Sequence, residues 1–293
     1  MLVVPGTASA ALAREVARRL GAKLAKVDVN TFPDGEVYAR IDEVTTGEDV
    51  VVVETTLGND RFVELLLLSE AARGHGARRV TCVVPYYAYS RQDRRFKSGE
   101  ALSAEVVARS LGLFSTGLVT VDPHKEHILA FYPGRSHGSS AVPELAAHFK
   151  TRGVDLVLAP DKGALERAAA AAIQLGVGHD HLEKTRISGD TVVMKPKSLP
   201  VSGRTVAILD DIISTGGTMA GAAKQLLDQG AKRVICAATH GLFVGGAADR
   251  LKTAGVAEIV VTDTIQGPFS SVSAAPAIVR GLEALALEGR VRA

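Results

Sequence analysis

Eight short apolar runs rich in β-branched residues recur along the chain, with helix-compatible stretches between them. The runs are Leu2–Val4, Val50–Glu54, Val80–Pro85, Leu118–Val121, Leu156–Ala159, Val206–Leu209, Val234–Ala238 and Ile259–Thr262. The stretches predicted as helices are Ala10–Leu20, Arg61–Gly74, Ala101–Leu111, Gly163–Leu175, Thr218–Gln229 and Gly246–Ala254. Strands that alternate with helices are joined by crossovers, and crossovers favour parallel pairing with helices on both faces. The fold class expected is α/β, with mostly parallel sheets flanked by helices.

The pattern also repeats. Leu2-Val3-Val4-Pro5, with a helix closing at Leu20-Gly21, resembles Val157-Leu158-Ala159-Pro160, with a helix closing at Leu175-Gly176. Gly76-Ala77-Arg78-Arg79-Val80-Thr81-Cys82 resembles Gly230-Ala231-Lys232-Arg233-Val234-Ile235-Cys236, and Leu118–Asp122 resembles Ile259–Asp263. The first two pairs are separated by nearly the same spacing, which points to a tandem duplication of one unit. We expect domains over residues 1–140 and 141–275, followed by a C-terminal helix in 276–293. Its apolar residues Ile278, Leu282 and Leu285 fall at helical spacing within Ala277–Leu287.

A chain of 293 residues has room for two cores. Its formal charge is only +2 with the cations scattered, which argues against a nucleic-acid surface. No apolar run approaches the ~20 residues of a membrane helix, and the start Met1–Gly6 lacks the basic opening of a signal peptide. Cys82 and Cys236 lie in apolar runs without CxxC spacing, so they read as buried thiols of a reducing compartment. A soluble, cytoplasmic protein is expected.

The segment Val206–Thr218 carries the most chemistry. An apolar strand runs into the acids Asp210 and Asp211, then into Ser214-Thr215-Gly216-Gly217-Thr218 at the start of a helix. Amides and hydroxyls gathered at a helix N-terminus suit a phosphate, and glycines there can take φ > 0 and let an anion approach. The two carboxylates suit sugar hydroxyls or a divalent metal. Together they describe a ribose phosphate. The corresponding stretch of the first copy, Val53–Asp60, has one glycine and no acidic pair, so the first unit is expected to hold something else.

Other motifs cluster at strand ends. Phe32-Pro33-Asp34-Gly35-Glu36 is a turn presenting a ring that can stack on a base beside carboxylates that can accept from its amine. Pro85–Arg95 leaves a strand with Arg91, Gln92, Arg94 and Arg95 close together, which suits a polyphosphate. His124 and Asp161 each follow a strand, and an imidazole with a carboxylate suits a divalent metal that keeps waters for phosphate oxygens. His179–Pro196 is polar and poor in helix signals. With Lys184 and Arg186 it could act as a flap that neutralises charge on a transferring group.

Taken in order, these motifs resemble ribose-phosphate diphosphokinases, the phosphoribosyl pyrophosphate synthetases, across essentially the full length. The Ser-Thr-Gly-Gly loop resembles the archaeal form of the family. The resemblance implies two tandem phosphoribosyltransferase-like domains. It implies that Phe32, Asp34 and Glu36 contact adenine across a subunit interface of a homo-oligomer, and that Arg91 and Gln92 hold ATP. It further implies Mg²⁺ on His124 and Asp161, ribose hydroxyls on Asp210 and Asp211, and the 5-phosphate on Ser214, Thr215, Gly216, Gly217 and Thr218. Lys184 and Arg186 would stabilise the transition state. The implied partners are ATP and ribose 5-phosphate, with no nucleic acid and no membrane. Competing readings are a phosphoribosyltransferase, which would share only the Asp210–Thr218 motif, and a non-catalytic nucleotide-binding regulatory homologue.

Overall fold

The computed structural model describes residues 1–182, 184–188, 191–194 and 199–291, without the side chains of 184–188, 191–194 and 288–291. Its contacts divide the chain into two units. One comprises Met1–Ser140, Thr264–Gln266 and Ser273–Ala293, the other Ala141–Asp263 and Gly267–Val272.

The first unit contains β1 (Leu2–Pro5), α1 (Ala10–Leu20), β2 (Lys23–Leu24), β3 (Val27–Thr31), β4 (Val37–Ile41), β5 (Asp49–Val53) and α2 (Asn59–Gly74). It continues with β6 (Arg79–Val84), α3 (Ser103–Leu111), β7 (Gly117–Val121) and β8 (Arg135–Ser139). The second contains α4 (Val142–Thr151), β9 (Leu156–Ala159), α5 (Leu165–Leu175), β10 (Gly178–His181), β11 (Lys184–Ser188), β12 (Thr191–Met194) and β13 (Thr205–Ile213). It ends with α6 (Gly217–Asp228), β14 (Arg233–Gly241), α7 (Ala247–Thr253), β15 (Glu258–Thr262) and β16 (Ser270–Val272). The last helix, α8 (Ala275–Val291), returns to the first unit.

Each unit is built on a six-stranded sheet, ordered β2-β1-β5-β6-β7-β8 in one and β10-β9-β13-β14-β15-β16 in the other. Every neighbouring pair in both sheets is parallel. In each unit an antiparallel hairpin, β3–β4 or β11–β12, follows the outer strand and precedes the strand that crosses back. All eight expected strands and all six expected helices are present. The identical strand order is the three-dimensional form of the sequence repeat.

Both faces of each sheet are buried, as alternate side chains require. In the second unit Leu156, Leu158, Val206, Ile208 and Cys236 pack against Met219, Ala223 and Leu226 of α6. The intervening Val157, Ala159, Ala207, Leu209 and Ile235 pack instead against Leu145 and Phe149 of α4 and Ala168, Ala171 and Ala172 of α5. In the first unit Val4, Val50, Val52, Cys82 and Leu118 meet Leu65 and Leu68 of α2 and Val107 and Leu111 of α3.

The helix α8 lies against α1, β7 and β8. Ser139 Oγ donates to the Ala277 carbonyl at 2.6 Å and Arg135 Nη1 to the Leu285 carbonyl at 3.1 Å. A Cβ at Gly281 would lie 2.7 Å from Val119 Cγ1, so only glycine allows this approach. No helix among the described residues is long and apolar enough to cross a membrane.

Candidate active site

In an open parallel sheet, ligands bind beyond the carboxyl ends of the strands, where the chain order reverses. In the second unit that point lies between β9 and β13. Asp161 follows β9 and lies half-buried, with Oδ1 accepting from the Gly163 amide at 2.8 Å. Asp210 and Asp211 sit in β13, which extends to Ile213 rather than stopping at Leu209. The Asp211 amide donates to Asp210 Oδ1 at 2.8 Å. Burial first, then the charge of Asp211, holds the Asp210 carboxyl well above the usual carboxylate range, and Asp161 pushes the same way. Three carboxyl groups therefore lie close enough to raise one another's proton affinity, a setting that suits hydroxyl groups, which can both donate and accept.

The turn after β13 opens directly into the N-terminus of α6, an arrangement that suits an anion. Gly216 has φ +73°, and a Cβ there would lie 3.2 Å from the Ala247 carbonyl, so a side chain is disfavoured on two counts. Gly217 begins α6 without positive φ, so the left-handed geometry expected of both glycines is used by the first alone. Gly217 is nevertheless exposed and open, with Thr215 Oγ1 4.0 Å from where its Cβ would lie. Helix α6 has no side-chain cap and no charged residue in its first turn. The carbonyls of the turn are drawn backwards. Ser214 O accepts from the Val244 amide at 3.1 Å, and Arg250 of α7 donates to Thr215 O and to Gly245 O. Arg250 is a support the motif alone did not reveal, because it comes from the next helix but one along the chain.

The equivalent point of the first unit, between β1 and β5, is filled by the protein itself. Glu54 and Glu64 are fully buried. Glu54 accepts from the amides of Ala8 and Ser9 at 3.3 and 3.2 Å. Glu64 accepts from the Thr7 amide at 2.6 Å, the Thr7 hydroxyl at 2.7 Å and Arg61 Nη1 at 2.7 Å. A Cβ on Gly6 would lie 2.0 Å from Glu54 Oε2. Burial, reinforced by Glu64, pushes the Glu54 carboxyl up to about 8. The two carboxylates thus take the amides that a bound anion would use.

The nucleotide candidates of the first unit lie elsewhere. Beyond β6, Tyr86 and Tyr87 are buried, while Tyr89 is exposed with φ 65°. Tyr87 donates to the Ala104 carbonyl at 3.0 Å, and the Tyr86 carbonyl accepts from Thr56. These contacts fix the base of the loop. At its tip Arg91, Arg94 and Arg95 are exposed and Gln92 is half-buried. Phe32, Asp34 and Glu36 form the tip of the β3–β4 hairpin, with the Glu36 amide donating to Asp34 Oδ1 at 3.1 Å. Phe32 is 49% exposed, an unusual setting for a phenyl ring, and meets Tyr38 edge-on with centroids 6.2 Å apart.

His124 follows β7, where Asp122 takes φ 38° and accepts from Ser140 at 2.8 Å, and is half-buried. His124 and Asp161 belong to different units. Lys184 and Arg186 lie on β11 of the β11–β12 hairpin, and their side chains lie outside the described set, as do parts of the expected flap.

The family model for the N-terminal domain of ribose phosphate pyrophosphokinase matches residues 1–113, and that for the phosphoribosyl transferase domain matches residues 144–270. The ribose-phosphate pyrophosphokinase of Thermococcus kodakarensis is 45% identical over 266 residues, 90% of this chain and 94% of its own. That of Methanopyrus kandleri is 43% identical over 289 residues, 97% of this chain and 99% of its own. The crystal structure of phosphoribosylpyrophosphate synthetase from Mycobacterium smegmatis superimposes with a TM-score of 0.84 at 31% identity, covering 98% of this chain and 99% of that one.

Proposed function

The chain belongs to the ribose-phosphate pyrophosphokinase family, and we propose that it transfers the β,γ-diphosphoryl group of MgATP to the C1 hydroxyl of ribose 5-phosphate, releasing AMP. The observation that carries this reading is the divergence of its two units. One keeps an anion-binding turn beside an acidic cluster, while the other has closed that place with Glu54 and Glu64 and bears the exposed nucleotide motifs. A phosphoribosyltransferase needs only the former.

In this reading the amides and hydroxyls of Ser214–Thr218 hold the 5-phosphate, and Asp210 and Asp211 hold the ribose hydroxyls. A carboxyl raised as Asp210 is can carry a proton and so both donate to and accept from a diol. Phe32 stacks on adenine with Asp34 and Glu36 accepting from its amine, and its exposure leaves it free to do so across a subunit interface in a homo-oligomer. Arg91 and Gln92 hold the rest of ATP. Lys184 and Arg186 neutralise charge on the transferring group.

In this reading His124 and Asp161 would each offer one donor to Mg²⁺, an ion that keeps most of its positions for water and phosphate oxygens. When bound there the ion would supply charge neutralisation on the phosphates. The chain's own contribution is alignment, holding the C1 hydroxyl about 3–3.5 Å from the β-phosphorus. Two buried free cysteines, Cys82 and Cys236, suit the reducing cytoplasm.

The test is to incubate the protein with MgATP, with and without ribose 5-phosphate, and follow AMP. AMP released only with the sugar phosphate supports the synthetase. Nucleotide binding without AMP would instead favour the regulatory homologue.

A further inference from the structure

The loop that carries Gln92 is organised around one carboxylate. Glu100 Oε2 accepts from the Phe96 amide at 2.7 Å, the Lys97 amide at 3.0 Å and Gln92 Nε2 at 3.1 Å. The Lys97 and Phe96 amides hold its carboxyl below the ordinary range, so it is an acceptor only. Gln92 Nε2 also donates to the Arg94 carbonyl at 3.2 Å. The main chain of Gln92 is fixed at both ends, its amide donating to Tyr89 O at 3.1 Å and its carbonyl accepting from Ala104 at 3.3 Å.

An amide group can be placed either way round, and its neighbours decide which. Both neighbours of this nitrogen are acceptors. Turning the amide over would set its oxygen against a carboxylate and a carbonyl. The nitrogen therefore faces Glu100 and the Arg94 carbonyl with both donors engaged, and no hydrogen bond to Oε1 occurs among the described residues.

We propose that Glu100 is a positioning residue that locks Gln92 with its oxygen toward the nucleotide, so that Gln92 accepts a hydrogen bond from the base or the ribose rather than donating one to a phosphate. This rests on the reading that ATP binds at Arg91 and Gln92. A nucleoside triphosphate offers such a donor at the exocyclic amine of adenine and at the ribose hydroxyls. Ionised phosphates offer none.

Calorimetric binding of ATP, purine riboside triphosphate, 2′-deoxy-ATP and 3′-deoxy-ATP, each with magnesium, separates these sources without depending on turnover. Weaker wild-type binding of 2′-deoxy-ATP or 3′-deoxy-ATP, by about tenfold relative to ATP, names a ribose donor, because the lost bond leaves a polar partner unpaired. Since Asp34 and Glu36 also accept from the amine, weaker binding of purine riboside triphosphate names the base only where substitution of Glu100 reduces it. Glu100→Ala should weaken ATP about tenfold and erase that discrimination, with ribose 5-phosphate affinity held within about twofold. Glu100→Gln keeps an oxygen for the two amides but lets Gln92 turn over. It should keep the fold and weaken the discrimination, and so carries the test if the alanine variant does not fold. Equal wild-type binding of all four nucleotides, or the absence of any analogue whose discrimination is reduced by substitution of Glu100, overturns the proposal. Discrimination without AMP formation would refute the proposed reaction and leave the role of Glu100 standing.

Discussion

Glu54, just past β5, and Asp210, in the equivalent strand β13, are both pushed toward the protonated form, with burial the first cause in each. Their surroundings give them different tasks. Glu54 faces the amides of its own chain, whereas Asp210 stands beside an uncapped helix and two further acids. For Glu54 the linkage has a definite sign. The folded chain keeps its proton up to about 8, while the unfolded chain releases it near the ordinary value of 4.5. Its contribution to stability is complete below about 4.5 and is lost as pH rises to about 8. Relative to Glu54→Gln, wild-type protein should therefore lose on the order of 1–3 kcal/mol between those limits, seen as a melting temperature falling by several degrees. A difference that stays flat with pH would refute the buried pair. In the second unit, Lys184→Ala should lower kcat by about 10²–10³ with little change in melting temperature, the cost of losing one transition-state donor. A nearly normal kcat would remove Lys184 from the reaction.

At the scale of elements, the strands at the sheet centres were readable because their β-branched runs are buried on both faces. The outer strands were not. Arg135–Ser139 and Gly178–His181 are polar because they pair on one side only and meet water. The β3–β4 hairpin and α4 left a signal that could have been used. Val37, Ala39 and Ile41 alternate with exposed Tyr38 and Arg40, and Val142, Leu145, Ala146 and Phe149 follow helical spacing behind Pro143. Within the site, the turn Ser214–Thr218 was legible from its residue types. The support from Arg250 and the closure by Glu54 and Glu64 were not, because both depend on partners far along the chain. Two substitutions test these elements. Gly216→Ala forces a left-handed alanine beside Ala247, at about 1–2 kcal/mol, and should weaken ribose 5-phosphate binding roughly tenfold in a direct titration. Gly281→Val sets a branched side chain against Val119 and should destabilise the protein by about 1–3 kcal/mol in thermal unfolding, through displacement of α8.

For the whole molecule, one α/β unit was used twice and altered at the same topological place. The sheets share a strand order, and each inserts a hairpin at the same point. The second unit takes its covering helix α4 from the segment just before β9, whereas the first takes α8 from the far end of the chain, which ties the terminus into the N-terminal unit. In the proposed function, divergence assigned one task to each half, the sugar phosphate to the second and the nucleotide to the first. The central claim is that these tasks combine in transfer of a diphosphoryl group. Phosphorus NMR of the protein with MgATP and ribose 5-phosphate tests it most directly. AMP and a sugar diphosphate ester should grow in together in equal amounts, with the 5-phosphate signal retained. ADP in place of AMP, or inorganic diphosphate released without a sugar ester, would contradict it.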